Sequence, residues 1–448
     1  MKPSLTFAAV ALAWFLLGVA AFFSDQLSLV WLVSGLIILP IAIIDAIALY
    51  FFTDRLSVQR SISSYLAQDE STKVKLEIKR SGTGILVPRM LLWDLHPASM
   101  TATAFPAKLD TTILTKQHDI PHKKASLSFE YSLMPEKRGN WHFRGTELLL
   151  SSVCGLWNLK VFHPCESSGQ TYPNFKMIQA AAGTDLRGLL ERSGVKNIRM
   201  RGQGLEFQSL RDYQQGDSVR AVDWRATSRR AKVTIREYQE EKDQQLLFLL
   251  DSGYRLNRLE DTKRLQFDSA LEALLLLSWV SLKHGDSVAV STFGAQKRWL
   301  PPRKGAKAFP LLMNGLYDLA SSSVPSSPSS ALEDALFRLK RRTFIVLISN
   351  FHEEDGESLS WVLRHIEKRH LLLMVSLKEK EAESLARQTP SGSEEALETA
   401  AAFSYRASRR ELYTAWEHSG LLTMECSAKE LAPALINRYL EVKRSGRL

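Results

Sequence analysis

The sequence predicts a membrane-anchored chain in three structural parts: an N-terminal helical hairpin, a small all-β domain and a doubly wound α/β domain. Three observations lead to this division. Two apolar runs open the chain, short segments of alternating polarity follow them, and continuous apolar segments then alternate with helical patterns. The 448 residues are 45% hydrophobic and 24% charged. This ordinary globular balance excludes a disordered or collagen-like chain and a transporter with many spans.

Residues 1–53 are predicted to form a transmembrane hairpin. Leu5–Phe23 carries no charge, and its length corresponds to about 28 Å of helix, close to the ~30 Å hydrocarbon core of a bilayer. A polar segment at 24–26 separates it from a second apolar run, Leu27–Phe52. A cleaved signal peptide would have a shorter apolar core and no second span directly behind it, so an anchor is favoured.

The flanking charges predict the orientation of this hairpin. Lys2 precedes the first run, Arg55 and Arg60 follow the second, and the connection has no positive charge. The positive-inside rule therefore places both termini and the soluble domains in the cytosol. Asp45 lies within the second run, and two interpretations stay open: a functional intramembrane carboxylate, or a group wetted near the cytoplasmic end.

Residues 54–185 are predicted to form a small antiparallel sandwich or barrel. The segments 74–79 and 126–131 alternate between apolar and polar residues, and clusters of Gly, Pro and Asn separate such segments. No catalytic constellation is visible, so the domain is expected to act as a spacer or docking surface near the membrane. Cys154, Cys165 and Cys426 show no metal or redox spacing and are expected to be reduced and buried.

Residues 241–448 are predicted to form the α/β domain. Apolar strands are expected at Gln245–Leu250, Ser287–Phe293, Thr343–Ser349, Leu371–Ser376 and Leu421–Glu425. Helices are expected at Thr262–Lys283, Ala306–Leu319, Ala331–Lys340, Ser358–Lys368 and Ala428–Val442, with a flexible linker at Ser321–Ser330. Ligand sites of such sheets lie at the carboxyl ends of the strands, which here are followed by Asp251–Arg255 and by Asn350.

Residues 186–240 form a basic segment dense in Arg–carboxylate pairs, aromatic residues and glycines. Its candidate binding or structural residues are Glu206, Arg211, Tyr213, Gly216, Asp217, Arg220, Asp223, Trp224 and Arg229. One interpretation is a recognition surface for a partner or an anion. The other is an internally satisfied ion-pair network that joins the two soluble domains, and the residues alone favour this second interpretation.

The same segment resembles the bacterial "domain of unknown function fifty-eight" family. The matching residues are Gly204–Phe207, Leu210–Tyr213, Gly216-Asp217, Arg220, Val222–Trp224 and Ser228-Arg229. The resemblance implies two N-terminal spans in the bacterial cytoplasmic membrane, a β-rich domain and a von Willebrand factor A-like domain. Members of the family commonly occur beside MoxR-type AAA+ ATPases, which implies such an ATPase as the protein partner. The resemblance supplies no enzymatic activity.

Metal-competent A domains carry an Asp-x-Ser-x-Ser run after the first strand and a further Asp after a later strand. In this chain Gly253 and Arg255 occupy the two Ser positions and Asn350 occupies the later Asp position, so Asp251 alone remains acidic. A guanidinium opposes a divalent cation, and hard oxygen ligands are missing. We therefore expect neither a metal nor another cofactor, and we expect Arg255 to reach Asp251 as an internal cation.

The predicted function is that of a non-enzymatic adaptor bound to the lipid bilayer and to a protein partner. The chain lacks a P-loop and a nucleophile elbow, and His365 and His370 are expected on a solvated basic face. The net charge of +10 suits an anionic membrane surface or an acidic partner more than nucleic acid. Two alternatives stay open: a metal-dependent adhesion-type ligand binder, and a hydrolase whose site is not visible in the sequence.

Overall fold

A computed structural model describes residues 1–53, 56–80, 89–103, 105, 107–109, 126–174, 206–214, 222–239, 243–261, 264–366 and 369–446. The chain divides into two compact units, Met1–Tyr172 and Pro173–Leu448. The predicted hairpin and the strand-rich region fall within the first unit, and the predicted α/β domain falls within the second.

Two antiparallel helices open the first unit, α1 (Leu5–Ala21) and α2 (Asp25–Thr53). The indole rings of Trp14 and Trp31 stack between them with centroids 5.1 Å apart. A Cβ atom on Gly18 would lie 2.7 Å from the Trp31 ring, and one on Gly35 would lie 2.8 Å from the Trp14 ring. Each glycine therefore makes room for the tryptophan of the other helix. By length and composition the segment Gln26–Thr53 could cross a membrane, whereas α1 is a shorter apolar helix.

Asp45 lies at the base of this helical pair. The register set by the two Gly–Trp contacts places it level with the start of α1. Its side chain is buried, and its Oδ1 accepts a hydrogen bond from the backbone N–H of Cys154 at 3.2 Å. The Trp157 indole N–H donates to the Ala42 carbonyl at 2.9 Å. Protein thus covers the carboxylate, which counts against a wetted group, one of the two interpretations that the sequence left open.

The remaining strands of the first unit form a sandwich of two sheets. They are β1 (Lys2–Pro3), β2 (Leu56–Ser61), β3 (Tyr65–Ala67), β4 (Thr72–Arg80), β5 (Arg89–Asp94), β6 (Met100–Ala102), β7 (Ala107–Leu109), β8 (Ser126–Pro135), β9 (Gly139–Ser151) and β10 (Trp157–Tyr172). One sheet has the order β1-β10-β9-β5-β7, with β3 parallel to β10, and the other has the order β2-β4-β8-β6. Alternate residues of both sheets, joined by Leu49 and Phe52 of α2, form one apolar core. The predicted sandwich is confirmed.

A buried ion pair joins the two sheets. The Arg60 guanidinium of β2 bonds to both carboxylate oxygens of Asp94 in β5, including Nε to Oδ2 at 3.0 Å, and both side chains are fully buried. The hydroxyl of Tyr131 in β8 donates to the same carboxylate at 2.6 Å. Burial, followed by the charge of Asp94, raises the pKa of Tyr131, which therefore stays a donor. Arg60, one of the cations used to predict the orientation of the hairpin, is thus paired with Asp94 inside the folded domain.

The cysteines differ from one another in exposure. All three are free thiols, but Cys154 is exposed, Cys165 is partly exposed and Cys426 alone is buried. The prediction that all three are buried was therefore wrong. Cys154 lies in the turn between β9 and β10, where its backbone N–H donates to Asp45.

The second unit contains a mainly parallel sheet of six strands. They are β13 (Gln245–Asp251), β16 (Ser287–Phe293), β17 (Arg298–Lys304), β18 (Thr343–Ile348), β19 (Leu371–Leu377) and β20 (Leu422–Cys426). Their order is β17-β16-β13-β18-β19-β20, and only the edge strand β17 is antiparallel to its neighbour. Leu246, Phe248 and Leu250 of β13 face one apolar core, while Leu247 and Leu249 face another. The predicted doubly wound sheet, buried on both faces, is confirmed.

Helices cover both faces of this sheet. The longer ones are α4 (Gln266–Lys283), α5 (Ala308–Leu316), α6 (Pro328–Arg338), α7 (Asp355–Ile366), α9 (Ser393–His418) and α10 (Ala428–Arg444), and the short helices α3 (Trp224–Arg230) and α8 (Lys380–Leu385) complete the set in the described part of the chain. Two short hairpins accompany them, β11 (Glu206–Asp212) with β12 (Thr234–Gln239), and β14 (Leu259–Asp261) with β15 (Arg264–Leu265).

Three features of this unit were not predicted. Helix α9 buries only Ala402, Arg409 and Trp416, so its apolar stripe is too narrow to mark a helix in the sequence. Strand β17 contains two prolines, which an edge strand tolerates but which hide the strand pattern. His370 is buried, and burial lowers its pKa. The expectation of a solvated face was wrong for His370, whereas His365 is exposed.

Candidate functional site at the carboxyl edge of the α/β sheet

Asp251 ends the central strand β13 and is fully buried. Its Oδ1 accepts a hydrogen bond from the Gly253 backbone N–H at 2.8 Å. Its Oδ2 accepts from the Ser326 hydroxyl at 2.7 Å and from the Ser349 hydroxyl at 2.6 Å. Burial raises the pKa of Asp251 more than these donors lower it. The carboxylate is thus held by protein donors on both oxygens.

The turn behind Asp251 has no room for a serine at position 253. A Cβ atom on Gly253 would lie 2.7 Å from the Val324 carbonyl oxygen and 2.8 Å from the Ser326 Cβ. Ser252 cannot substitute as a ligand without losing its own bonds. Its hydroxyl donates to the Phe293 carbonyl at 2.7 Å and accepts from the Gln296 N–H at 3.0 Å.

The serine-rich segment Ser321–Ser330 packs against this turn. The Ser322 N–H donates to the Ser252 carbonyl at 3.0 Å, and the Tyr254 N–H donates to the Val324 carbonyl at 3.0 Å. With the Ser326 contact to Asp251, these bonds fix the segment at the carboxyl edge of the sheet. The prediction of a flexible linker was therefore wrong. Its many hydroxyls were the available signal, because they are natural donors to a buried carboxylate.

Arg255 pairs with Asp355 and not, as expected, with Asp251. Its Nη1 lies 2.5 Å from Asp355 Oδ2 and its Nη2 lies 2.9 Å from Asp355 Oδ1, which is a bidentate geometry. Nη1 also donates to the Asn350 carbonyl at 2.8 Å. Sequence reasoning missed Asp355 because it expected this helix to begin only at Ser358. The structure begins α7 at Asp355, whose carboxylate also accepts from the His352 N–H at 2.9 Å.

The side chain of Asn350 connects three segments at the carboxyl edge of the sheet through hydrogen bonds. Its Nδ2 donates to the Arg255 carbonyl at 3.0 Å and to Gln266 Oε1 at 2.8 Å. Its Oδ1 accepts from the Leu377 N–H at 3.0 Å. The side chain is buried and its polar atoms are engaged.

These residues do not fit a divalent cation. The Asp251 oxygens already accept three protein donors, Arg255 places a cation nearby, and Asn350 uses its carbonyl oxygen internally. Within the described ranges no three His, Cys, Asp or Glu side chains are grouped to hold a metal. The expectation of a metal-free domain stays a prediction, and the geometry agrees with it.

The polar network continues toward the outer strands through Arg409 and Glu379. Arg409 Nη2 lies 2.9 Å from the Ser376 hydroxyl and 2.9 Å from Glu425, and Nη1 lies 3.3 Å from Glu379. The Tyr405 hydroxyl donates to Glu379 at 2.8 Å, and burial raises the pKa of Tyr405 to about 12. Nearby, burial and then the charge of Arg255 lower the pKa of His352, which favours its neutral form. The charged side chains at this edge of the sheet are therefore paired with one another.

The sequence motif contributes a different kind of surface. Asp223 caps helix α3, since its Oδ1 accepts from the N–H groups of Arg225 and Ala226, both at 3.0 Å. Trp224 is 67% exposed and Tyr213 is 38% exposed. Arg211 lies in β11 and donates to the Asp212 carbonyl at 3.2 Å. Gly216, Asp217 and Arg220 lie outside the described residues, as does the side chain of Glu206.

Four exposed cations follow the exposed Trp224 in the sequence, within helix α3 and just after it. We call Trp224, Arg225, Arg229, Arg230 and Lys232 the α3 patch. All five side chains are exposed, and none of the four cations forms an ion pair within the described ranges. Trp224 and Arg229 of the motif are thus exposed, and the choice between the two interpretations of the motif stays a prediction.

Comparison with known proteins gives a family match within this unit. The family model "Protein of unknown function DUF58" matches residues 209–415. The uncharacterized protein YeaD of Bacillus subtilis is 23% identical over 198 residues. That match covers 44% of this chain and 46% of the relative, so it spans less than half of either protein.

Solved structures give weaker likenesses. An aerotolerance-related membrane protein from Bacteroides fragilis is 10% identical, with a TM-score of 0.29, over 44% of this chain and 98% of that protein. An uncharacterized membrane-spanning protein from Vibrio fischeri is 9% identical, with a TM-score of 0.18, over 45% and 98%. The proximal thread matrix protein 1 of the mussel byssus is 10% identical, with a TM-score of 0.25, over 45% and 47%. Scores of this size do not establish a shared fold.

Proposed function

We propose that this chain, which the DUF58 family model matches over residues 209–415, works as a membrane-anchored, non-enzymatic adaptor whose α/β unit binds a protein partner. The observation that carries this proposal is the α3 patch. Trp and Arg are among the residues that contribute most to protein interfaces. Here an exposed Trp begins a short helix, and four exposed cations within and just after that helix have no ion-pair partner in the described part of the chain. An acidic protein surface would complement this patch.

The membrane anchor is supported by the outer surfaces of α1 and α2. Large apolar side chains are exposed along both helices, among them Leu5 at 90%, Leu36 at 76% and Leu39 at 64%. Such a surface is unfavourable in water and suits lipid. We propose that both helices span the bacterial cytoplasmic membrane. Lys2 and Arg55 at the open end of the hairpin support a cytosolic location for both termini and both soluble parts.

A reporter fusion tests this topology. With a cytosolic C-terminus, alkaline phosphatase fused after Leu448 is expected to be inactive, because that enzyme folds only outside the cytosol, and green fluorescent protein at the same position is expected to fluoresce. An active phosphatase fusion would reverse the orientation and remove any cytosolic partner.

The proposed partner is a MoxR-type AAA+ ATPase, on the resemblance of the sequence motif, in envelope or complex assembly. The metal-dependent alternative is less well supported, because the Asp251 oxygens are occupied by protein donors. The hydrolase alternative is also less well supported, since the carboxylates Asp251, Asp355 and Glu379 are all bound internally.

Substitutions in the α3 patch test the adaptor proposal. Trp224→Ala and Arg229→Ser are expected to weaken binding of the full-length protein to the purified MoxR-type ATPase of the same organism at least about tenfold. Both side chains are exposed, so the thermal unfolding temperature should stay within about 2 °C of the parent value. Biolayer interferometry with the protein in lipid nanodiscs measures the binding.

The matched control is Trp361→Ala, which removes another exposed tryptophan, on α7. It should leave binding unchanged. Measuring binding both with Mg²⁺ and with a chelator separates the alternatives, because an adaptor should bind equally in both and a metal-dependent binder should not. Absence of binding by the parent protein would discard the ATPase as partner, and equal losses in all variants would discard the α3 patch.

A further inference from the structure

A groove runs along the free edge of the α/β sheet, between strand β20 and helix α9. Its volume is about 710 Å³, within the range of ordinary ligand sites. Thr423, Met424 and Glu425 of β20 form one wall, and Tyr405, Arg406, Arg410 and Tyr413 are among the α9 residues of the other. The groove is separate from the α3 patch in sequence and shares no residue with it.

The strand wall offers unpaired backbone groups. Strand β20 is the last strand of the sheet and pairs with β19 alone among the described residues. The Cys426 carbonyl accepts from the Lys378 N–H at 2.9 Å, so Cys426, Met424 and Leu422 are the residues whose backbone groups face β19. Because neighbouring residues alternate in direction, the backbone groups of Thr423 and Glu425 face the groove.

The acidic side chains of the groove have partners, whereas two of its arginines form no ion pair within the described ranges. Its carboxylates already have partners: Glu379 and Glu425 bond to Arg409, Glu383 lies near Lys378, and Glu417 accepts from the Thr423 hydroxyl. Arg406 and Arg410 are exposed, one helical turn apart, and neither forms an ion pair within the described ranges. The groove therefore has equal numbers of basic and acidic side chains. Its carboxylates are already paired, whereas Arg406 and Arg410 are free to bind an anionic ligand.

We propose that this groove binds an extended acidic peptide segment, which adds to β20 as a further strand and places its carboxylates against Arg406 and Arg410. The backbone groups of Thr423 and Glu425 supply the strand hydrogen bonds, and α9 closes the other side, as in other complexes formed by strand addition beside a helix. The five residues of β20 match a peptide strand of about five residues, or roughly 17 Å. The site goes beyond the proposed adaptor function, since it does not involve the α3 patch.

Three labelled hexapeptides test the proposal against the full-length protein in nanodiscs. The first alternates Glu and Val, the second alternates Lys and Val, and the third repeats the first with N-methylated backbone amides at alternate positions. Fluorescence anisotropy is expected to show the acidic peptide binding at least tenfold more tightly than the lysine peptide. The N-methylated peptide keeps the charge but loses strand hydrogen bonds, so it should also bind at least tenfold more weakly.

Variants of the protein complete the test. Arg406→Ser/Arg410→Ser should weaken the acidic peptide at least tenfold, whereas Arg341→Ser/Arg364→Ser, which removes two exposed arginines outside the groove, should not change its affinity. Hydrogen exchange at the amides of Thr423 and Glu425 should slow when the peptide saturates the parent protein. Absence of peptide binding, equal binding of the N-methylated peptide, or equal losses in both double variants would overturn the proposal. Loss of ATPase binding alone would leave it intact and would instead count against the adaptor function.

Discussion

Replacing Arg60 by Met is expected to lower the free energy of unfolding of the β sandwich by about 3–5 kcal/mol. The change leaves the Asp94 carboxylate fully buried, with the Tyr131 hydroxyl as its remaining side-chain donor among the described residues. It also removes the guanidinium donors to the Gly145 and Cys165 carbonyls, which lie on the neighbouring strands β9 and β10. Both sheets of the sandwich should therefore loosen together.

Native-state hydrogen exchange of the full-length protein in nanodiscs measures this effect. Amides in β2, β5 and β8 should lose about 10²–10⁴-fold of their protection, while those of β13 and β18 in the other unit should not change. The matched control is Lys79→Met, also in the sandwich, whose solvent-screened ion pair with Glu77 should contribute little to stability. If Arg60→Met behaved like this control, the two sheets would be held by their apolar core alone.

The strands of both units could be predicted because their periodicity is local. Alternation over 74–79 and 126–131 marked half-buried strands, and continuous apolar runs such as 343–348 marked strands buried on both faces. Helix α9 could not be predicted in the same way. Its three buried residues are spaced seven apart, at 402, 409 and 416, and one of them is an arginine, so they form no recognisable apolar stripe.

The candidate site was predictable in the residues that directly follow strands, Asp251–Arg255 and Asn350, but not in their partners. Asp251 follows a recognisable strand, but its partners Ser326 and Ser349 lie 75 and 98 residues further along the chain. No local pattern connects such positions, and the serine-rich composition around Ser326 resembled a linker. Arg255 was recognised as a cation unsuited to a metal site, yet the choice between Asp251 and Asp355 depended on where a helix begins.

The motif at 206–229 illustrates a different limit of sequence reasoning. Its alternating arginines and carboxylates fit an internal ion-pair network as well as a recognition surface, because composition does not reveal which side chains face solvent. In the structure Asp223 is used as a helix cap, and Trp224 with the arginines behind it is left exposed. The proposed recognition surface depends on these exposed residues, and the choice between the two interpretations stays a prediction.

The second large effect is expected at the carboxyl edge of the α/β sheet, where Arg255→Met should lower the free energy of unfolding by about 3–5 kcal/mol. The substitution leaves Asp355 buried without its bidentate partner and removes the bond to the Asn350 carbonyl. Hydrogen exchange should report the loss in β13, β18 and the start of α7. Arg258→Met is the matched control, because its ion pair with Glu379 is largely exposed on the arginine side and should contribute less than about 1 kcal/mol.

A double variant and a titration separate loss of the ion pair from general damage. Arg255→Met/Asp355→Leu replaces both charges by apolar groups and should recover most of the stability, as buried pairs often do when both partners are removed. Arg255 is also one cause of the lowered pKa of His352, so Arg255→Met should raise that pKa toward its ordinary value. A lowered histidine pKa costs stability as the pH falls through the ordinary value, because the unfolded chain binds the proton first. The parent should therefore lose more stability than Arg255→Met below about pH 6.5. An unchanged His352 titration by NMR, with no recovery in the double variant, would mean that Arg255 does not hold this edge together through its charge.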